Sequence, residues 1–227
     1  YAVSMFTRIS VQHRISIMLD RLRRSNISSP AIREIEKLLQ QCVRKNVCVF
    51  RGTTYRFPGG LPMGGPLSMV MANVFMDFLE NAILSGPHAQ YIRFWKRYVD
   101  DVICVWNGTD AQAQSLLQSL NDFETDMQFT LENAGERINY LDLTITLSEV
   151  NNVLKPRFSI FRKTSFSGVS IHADFLHHSA HKMAAVNTAI HRLITLPLSA
   201  PAVEEEISCI EGIAAINGLD INVRALI

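Results

Sequence analysis

Apolar positions recur along the chain at two different periods, and the change of period marks out the elements. From Val11 to Arg24, Ile15, Met18, Leu19 and Leu22 fall three and four residues apart, the spacing of one helix face. Pro30 opens a second helical pattern, with Ile32, Ile35, Leu38, Leu39 and Cys42 along one side and an end near Lys45. "VCVFRGTTYRF" then alternates on either side of Arg51-Gly52, as a hairpin does. The most regular helix signal starts at Pro66, where Val70, Met71, Val74, Phe75, Phe78 and Leu79 form an apolar stripe behind a proline suited to the first helical position. Tyr91 to Tyr98 and Val102 to Trp106 read as two strands joined at Asp100-Asp101. A helix from Ala111 to Glu124 follows, then strands around Met127 to Leu131, Ile138 to Leu147 and Val153 to Arg162. The middle strand carries Leu141, Leu143, Ile145 and Leu147 in strict alternation. Two further helices are expected, about His181 to Thr195 and Val203 to Ile216, with Pro197 and Pro201 between them. Tyr1 to Phe6 reads as a short strand.

This order predicts an α+β chain. Its texture changes between Arg162 and Ser165, where strands give way to a polar, histidine-bearing loop and helices, so a boundary is expected there. With 227 residues, 48% of them hydrophobic, the chain can bury a sizeable core. A net charge of +1 neither announces nor excludes a nucleic-acid partner, because a basic face can hide inside a balanced total. Cys42, Cys48, Cys104 and Cys209 form no CxxC pair, which favours reduced intracellular thiols over a disulfide framework or a zinc cage. No segment reads as a bilayer span or a signal peptide, so a soluble, intracellular protein without a membrane partner is expected. Because Tyr1 already stands inside a strand pattern, the chain reads as a piece of a longer polypeptide.

The chemistry concentrates at "RYVDDVICVW", where two adjacent carboxylates precede an apolar run. Ionised carboxylates beside apolar surroundings are costly without a partner. A solvated turn and a bound cation both satisfy that requirement. Upstream, "PGGLPMGGP" feeds the long helix. Its glycines permit close backbone approach, and the helix start offers unpaired N–H groups to phosphate. An ordinary helix entry is the plainer reading. No Gly-Lys-Ser/Thr follows, which disfavours a Walker-type ATPase.

Taken in order, Gly60-Leu61-Pro62-Met63-Gly64 with Pro66-Leu67-Ser68, then Arg97-Tyr98-Val99-Asp100-Asp101, then Tyr140-Leu141-Asp142-Leu143, resemble reverse transcriptases, specifically those of Penelope-like retroelements. "VSMFTRI" is similar to the end of the family's first catalytic strand, and "FRKTSFSG", "HHSAHK" and "NGLD" to its thumb segments. The resemblance implies a right-hand polymerase palm over residues 1–163, an antiparallel sheet packed on helices and lacking its N-terminal part. A helical thumb of helix-turn-helix type would occupy residues 164–227. It implies RNA-directed DNA polymerisation by a mobile element: two-metal nucleotidyl transfer to a DNA 3′ end. Asp100 and Asp101 would be the catalytic, metal-binding acids for two Mg²⁺ ions, with Mn²⁺ as a substitute. Since neighbouring side chains of an extended segment point to opposite faces, Asp100 is expected to aim at the metals and Asp101 to support it. Phe6, Gly60, Pro62, Gly64 and Gly65 would bind nucleotide, Phe6 as the aromatic that excludes a 2′-hydroxyl. From the residues alone Phe6 is a core aromatic beside Met5. Tyr140, Leu141, Asp142 and Leu143 would be the primer grip, and from the residues alone a half-buried strand. Implied partners are an RNA template, a DNA primer and deoxynucleoside triphosphates, in the nucleus.

Several positions depart from the family pattern. Tyr1 stands where the family has its first metal-binding Asp, and a phenol that ionises only near ~10 is a poor magnesium ligand. Gly59 stands for Gln, Gly65 for Ser and His178 for Pro, and Gly65 is expected to loosen its loop. A decayed, non-catalytic nucleic-acid-binding remnant is therefore an alternative, and an RNA-dependent RNA polymerase, against which Phe6 speaks, is another. His172, His177, His178 and His181 cluster, with His177 and His181 one helical turn apart. A zinc site and a capped, partly solvated helix are the two readings, the second preferred. Arg93, Lys96, Arg97, Lys155, Arg157, Arg162, Lys163, Lys182 and Arg192 suit a nucleic-acid backbone or solvated strand edges. Glu204-Glu205-Glu206 is expected in the first turn of the last helix, where it would suit the dipole.

Overall fold

The structure is a computed structural model that describes residues 2–3, 5–8, 10–44, 47–56, 60–123, 127–132 and 135–227. It is mixed α+β, its sheets small and antiparallel among the described residues. It forms two compact units, Tyr1–Glu132 and Asn133–Ile227.

The first unit runs β1 (Ala2–Val3), a single helical turn α1 (Met5–Arg8), α2 (Val11–Arg23), α3 (Ser29–Arg44), β2 (Val47–Phe50), β3 (Thr53–Arg56) and α4 (Pro66–Leu84). After a 3₁₀ turn at Ala89–Tyr91 come β4 (Ile92–Tyr98), β5 (Asp101–Trp106), α5 (Asp110–Phe123) and β6 (Gln128–Phe129). Helix α4 is apolar nearly all round because it walls two cores. Met71 packs with Ile15, Leu19, Ile32 and Leu39, while Ala72, Phe75, Met76 and Leu79 pack with Ala2, Met5, Leu116, Leu120 and Met127. By length and composition this helix could cross a membrane, contrary to the sequence expectation that no segment could. In this structure it is the central core helix of its unit. The edge of β6 is covered by Asn121 of α5, whose amide both donates to and accepts from the Phe129 backbone.

The second unit is a meander of β7 (Arg137–Tyr140), β8 (Leu143–Val150) and β9 (Val153–Ile160), then α6 (Ser179–Thr195), α7 (Ala200–Ile216) and a 3₁₀ turn at Val223–Ala225. Asn151 and Asn152, at φ 53° and 60°, make the left-handed turn that joins β8 to β9. The helices share a core of Val186, Ile190, Ile207, Ile210 and Ile213. Ser199 N–H donates to Phe158 O at 3.0 Å, and Arg162 pairs with Glu206, so the sheet and helices are tied into one unit. The units accordingly divide between Glu132 and Asn133, earlier than the change of texture at Arg162 to Ser165.

Three local expectations differ from the structure. Phe6 lies in a helical turn rather than a strand. The expected strand from Ile138 to Leu147 is broken at Leu141-Asp142 into β7 and β8, which fold back on each other. Glu204 to Glu206 sit beyond the first turn of α7, because the helix starts at Ala200-Pro201, ahead of the expected Val203. The expected helix ends at Lys45 and Glu124 fall outside the described residues, as do Tyr1 and Gly59.

Candidate functional site

Strand β4 pairs with β5 so that Tyr98 faces Asp101, leaving Val99 and Asp100 as a two-residue turn. Val99 adopts φ 55°, a left-handed conformation that a β-branched side chain avoids. Such strain costs about 1–3 kcal/mol and persists when the surroundings enforce it. Here the enforcing group is Arg97. Its Nη1 donates to Val99 O at 3.2 Å and to Asn73 Oδ1 at 3.0 Å, its Nη2 to Asp77 Oδ1 at 3.1 Å and its Nε to Glu80 Oε1 at 3.0 Å. Trp95 Nε1 donates to the same Glu80 oxygen at 2.9 Å. Asn73, Asp77 and Glu80 share one face of α4, so a guanidinium only 11% exposed pins the acidic turn to the core helix. From the other side Ala2 N–H donates to Asp100 O at 2.9 Å, which sets β1 directly against the turn.

The glycine loop is tied to the same N-terminal segment. Leu61 N–H donates to Phe6 O at 2.7 Å, and that carbonyl also accepts from Arg14 Nη1 at 3.3 Å. Arg14, fully buried, also donates through Nη2 to Met5 O. Burial brings its guanidinium down to about 10. Gly64 has φ 83°, which calls for glycine. Gly65 precedes Pro66, the first residue of α4 as expected. A Cβ on Gly65 would lie 2.6 Å from Ser68 Oγ, whose hydroxyl donates to Pro62 O at 2.7 Å. That hydroxyl holds the loop that Gly65 was expected to loosen.

The candidate residues of the first unit thus fall into two bonded contacts, Ala2 with the Asp100 turn and Phe6 with the Gly60–Gly65 loop. Gly60 is buried, Phe6, Pro62, Gly65, Asp100 and Asp101 half-buried, and Gly64 exposed. Adjacent carboxylates on the turn residue Asp100 and the first β5 residue Asp101 are the donor type that a small, hard cation takes. The nearest guanidinium along the chain, Arg97, is spent on α4 and the Val99 carbonyl, and no cation pairs with Asp100 among the described residues. As a donor type, a carboxylate at Asp100 is one that magnesium takes. Among the described residues no group of three or more His, Cys, Asp and Glu side chains gathers to hold a metal, at this turn or elsewhere.

In the second unit Tyr140 faces Leu143, so Leu141 and Asp142 form another two-residue turn, with Leu141 at φ 53°. Both candidate turns are thus Tyr-apolar-Asp with the apolar residue left-handed. Asp142 is anchored by Arg192, whose Nη2 lies 3.3 Å from Oδ1, and its carbonyl accepts from Phe161 N–H at 2.8 Å. A cavity of about 610 Å³ opens beside this turn, lined in part by Leu141, Asp142, Arg162, Lys163 and Arg192. His178 caps α6, its Nδ1 accepting from Ala180 N–H at 3.2 Å, which is the capped-helix reading. Of the cations singled out in sequence, Arg97, Arg162, Lys182 and Arg192 all make contacts inside the fold. Glu206, to which no chemistry was assigned, is 3% exposed and holds Arg162 by two hydrogen bonds that keep the guanidinium firmly charged.

Sequence reasoning missed the roles of Arg14 and Arg97. Arg97 directly precedes the Tyr-x-Asp-Asp segment, and Arg14 follows Phe6 by eight residues on an otherwise apolar helix face. That placement was the signal available. No family model matches the chain, and no curated protein matches it.

Proposed function

We propose that the chain is the palm and thumb of a reverse transcriptase similar to those of Penelope-like retroelements, adding deoxynucleotides to a DNA 3′ end on an RNA template. One observation carries this reading: the Ala2–Asp100 hydrogen bond puts the strand before Phe6 against the acidic turn, while Leu61 binds the Phe6 carbonyl. The glycine loop and the acidic turn, far apart in sequence, are thereby both bonded to the same N-terminal segment, which supports a shared site. Asp100 and Asp101 would hold magnesium, which in such sites lowers the barrier by polarising the triphosphate and the attacking hydroxyl. Arg97 keeps the turn that carries them fixed, so no reorganisation is needed when charge develops. Phe6 would lie under the sugar and reject a 2′-hydroxyl, and Tyr140 to Leu143, locked through Arg192, would hold the primer end. By the resemblance residues 1–163 would supply the palm and 164–227 the thumb, a boundary later than the division of the compact units at Glu132 and Asn133.

A second reading, a nucleic-acid-binding remnant without turnover, is favoured by Tyr1 standing where the family carries a metal-binding Asp. Primer extension separates them. The polymerase incorporates dTTP on poly(rA) primed with oligo(dT) in Mg²⁺ or Mn²⁺, loses at least about 100-fold in Asp100→Asn, and discriminates against UTP. Equal incorporation by parent and Asp100→Asn overturns the proposal. No product from either leaves the remnant, and a preference for UTP marks an RNA polymerase.

A further inference from the structure

The chain's near-neutral charge conceals one strongly basic stretch. Residues 37–76 contain Lys37, Arg44, Lys45, Arg51 and Arg56 and no acid, so this stretch carries +5 against +1 for the whole, leaving −4 for the rest. Within it lies the β2–β3 ribbon, all eight of whose strand residues are exposed. A lone two-stranded ribbon is marginal in water, and this one presents Phe50 at 61% and Tyr55 at 50% exposure. The pairing Cys48↔Tyr55 and Phe50↔Thr53 puts both rings on one face, diagonal neighbours at about 7–8 Å between Cα atoms. At the tip, Arg51 sits at φ 50° before Gly52 at φ 78°, a left-handed pair of positions that favours Asn-Gly. An arginine held there despite its strain lies over the Phe50 ring, 5.4 Å from its centroid.

We propose that this ribbon is a stacking platform for single-stranded nucleic acid, with Phe50 and Tyr55 receiving bases and Arg51, at the tip over the Phe50 ring, the phosphates. Exposed rings on one face give base contacts that tolerate any sequence, and the arginine at the tip gives a phosphate contact. A protein partner would use the rings as apolar surface, whereas flat bases joined by phosphates match both the exposed rings and the cation at the tip. The inference deepens the proposed function by naming a surface for the unpaired strand. It rests on that reading for its role, yet it needs no metal and no turnover.

The test uses the full chain in EDTA with fluorescein-labelled rU12 and dT12, read by anisotropy over a salt series. Phe50→Leu with Tyr55→Leu keeps apolar strand residues but removes the rings, and should weaken binding at least about 10-fold. Arg51→Asn installs the preferred turn pair and should leave the ribbon more stable while binding falls. The slope of log K against log salt should then shrink by about 0.7. Tighter binding of rU12 than dT12 would identify RNA as the strand. Binding unchanged in both variants, or no binding by the parent at low salt, overturns the proposal. Failed primer extension with ring-dependent binding intact would count against the catalytic reading alone.

Discussion

Replacing Arg97 by Met removes the cation but keeps an unbranched apolar side chain of similar length. Glu80, 15% exposed at its side chain, would then keep only the Trp95 indole, and the Val99 carbonyl would lose its donor. Asp77 is spared, because Arg21 still binds it at 3.2 Å. Breaking one side of a buried ion pair costs about 3–5 kcal/mol. The retained partners of Glu80 and Asp77 put Arg97→Met at the low end, about 3 kcal/mol. At a urea slope of about 2 kcal/mol per M the unfolding midpoint should fall by about 1.5 M. Trp95 and Trp106 are the chain's two tryptophans, and both lie in the first unit, so tryptophan fluorescence reads this unit's transition. Arg97→Lys should recover no more than half the loss, since one ammonium cannot span four acceptors set for a planar fork. Combining Arg97→Met with Glu80→Gln should cost at least about 1 kcal/mol less than the two single changes added. A midpoint within about 0.3 M of the parent's in Arg97→Met, or strict additivity with Glu80→Gln, would refute the account of the turn.

Val99→Gly relieves the left-handed strain and should leave the first unit unchanged to about 1 kcal/mol more stable in urea, where an ordinary strand valine would cost stability instead. Asn217→Ala removes an amide, 1% exposed, that donates to Gly168 O and Ile213 O and accepts from Ser170 N–H; about 2–3 kcal/mol should be lost, seen as faster hydrogen exchange across α7 and residues 168–173. Burial pushes the Cys104 thiol up to about 11 from 9.0. A group raised on folding stabilises fully below its unfolded value and loses that share as pH climbs through its folded one. The first unit's urea midpoint should thus fall between pH 9 and 11, less steeply in Cys104→Ser. Iodoacetamide should alkylate the exposed Cys42 and Cys48 well before Cys104, as peptide mass mapping would show.

Much of the fold follows from periodicity. Helix α4 and the β4–β5 pair fall where the apolar spacing places them, because each packs against a core that holds its register, whereas the Arg51-Gly52 hairpin, exposed along both strands, was legible from its turn. The Leu141-Asp142 turn was hidden for the opposite reason. Leucine continues the alternation of Leu143, Ile145 and Leu147, and neither turn residue is glycine or asparagine, so only tertiary anchoring by Arg192 and Phe161 makes the turn possible. Phe6 misled similarly: its apolar neighbours suit a strand, but the buried Arg14 binds the Met5 and Phe6 carbonyls of a helical turn. For the candidate site, the acids and the glycine loop were legible as motifs. The arginines that fix them were not, since an arginine before a strand turn looks the same whether it faces solvent or a core helix.

Manganese binding tests the proposed divalent-metal site at the Val99-Asp100 turn without requiring turnover. Electron paramagnetic resonance should show the free Mn²⁺ signal falling as the chain is added in the presence of dTTP, with affinity lowered at least about 10-fold in Asp100→Asn and in Arg97→Lys. Identical manganese titrations for the parent and Asp100→Asn would contradict the account.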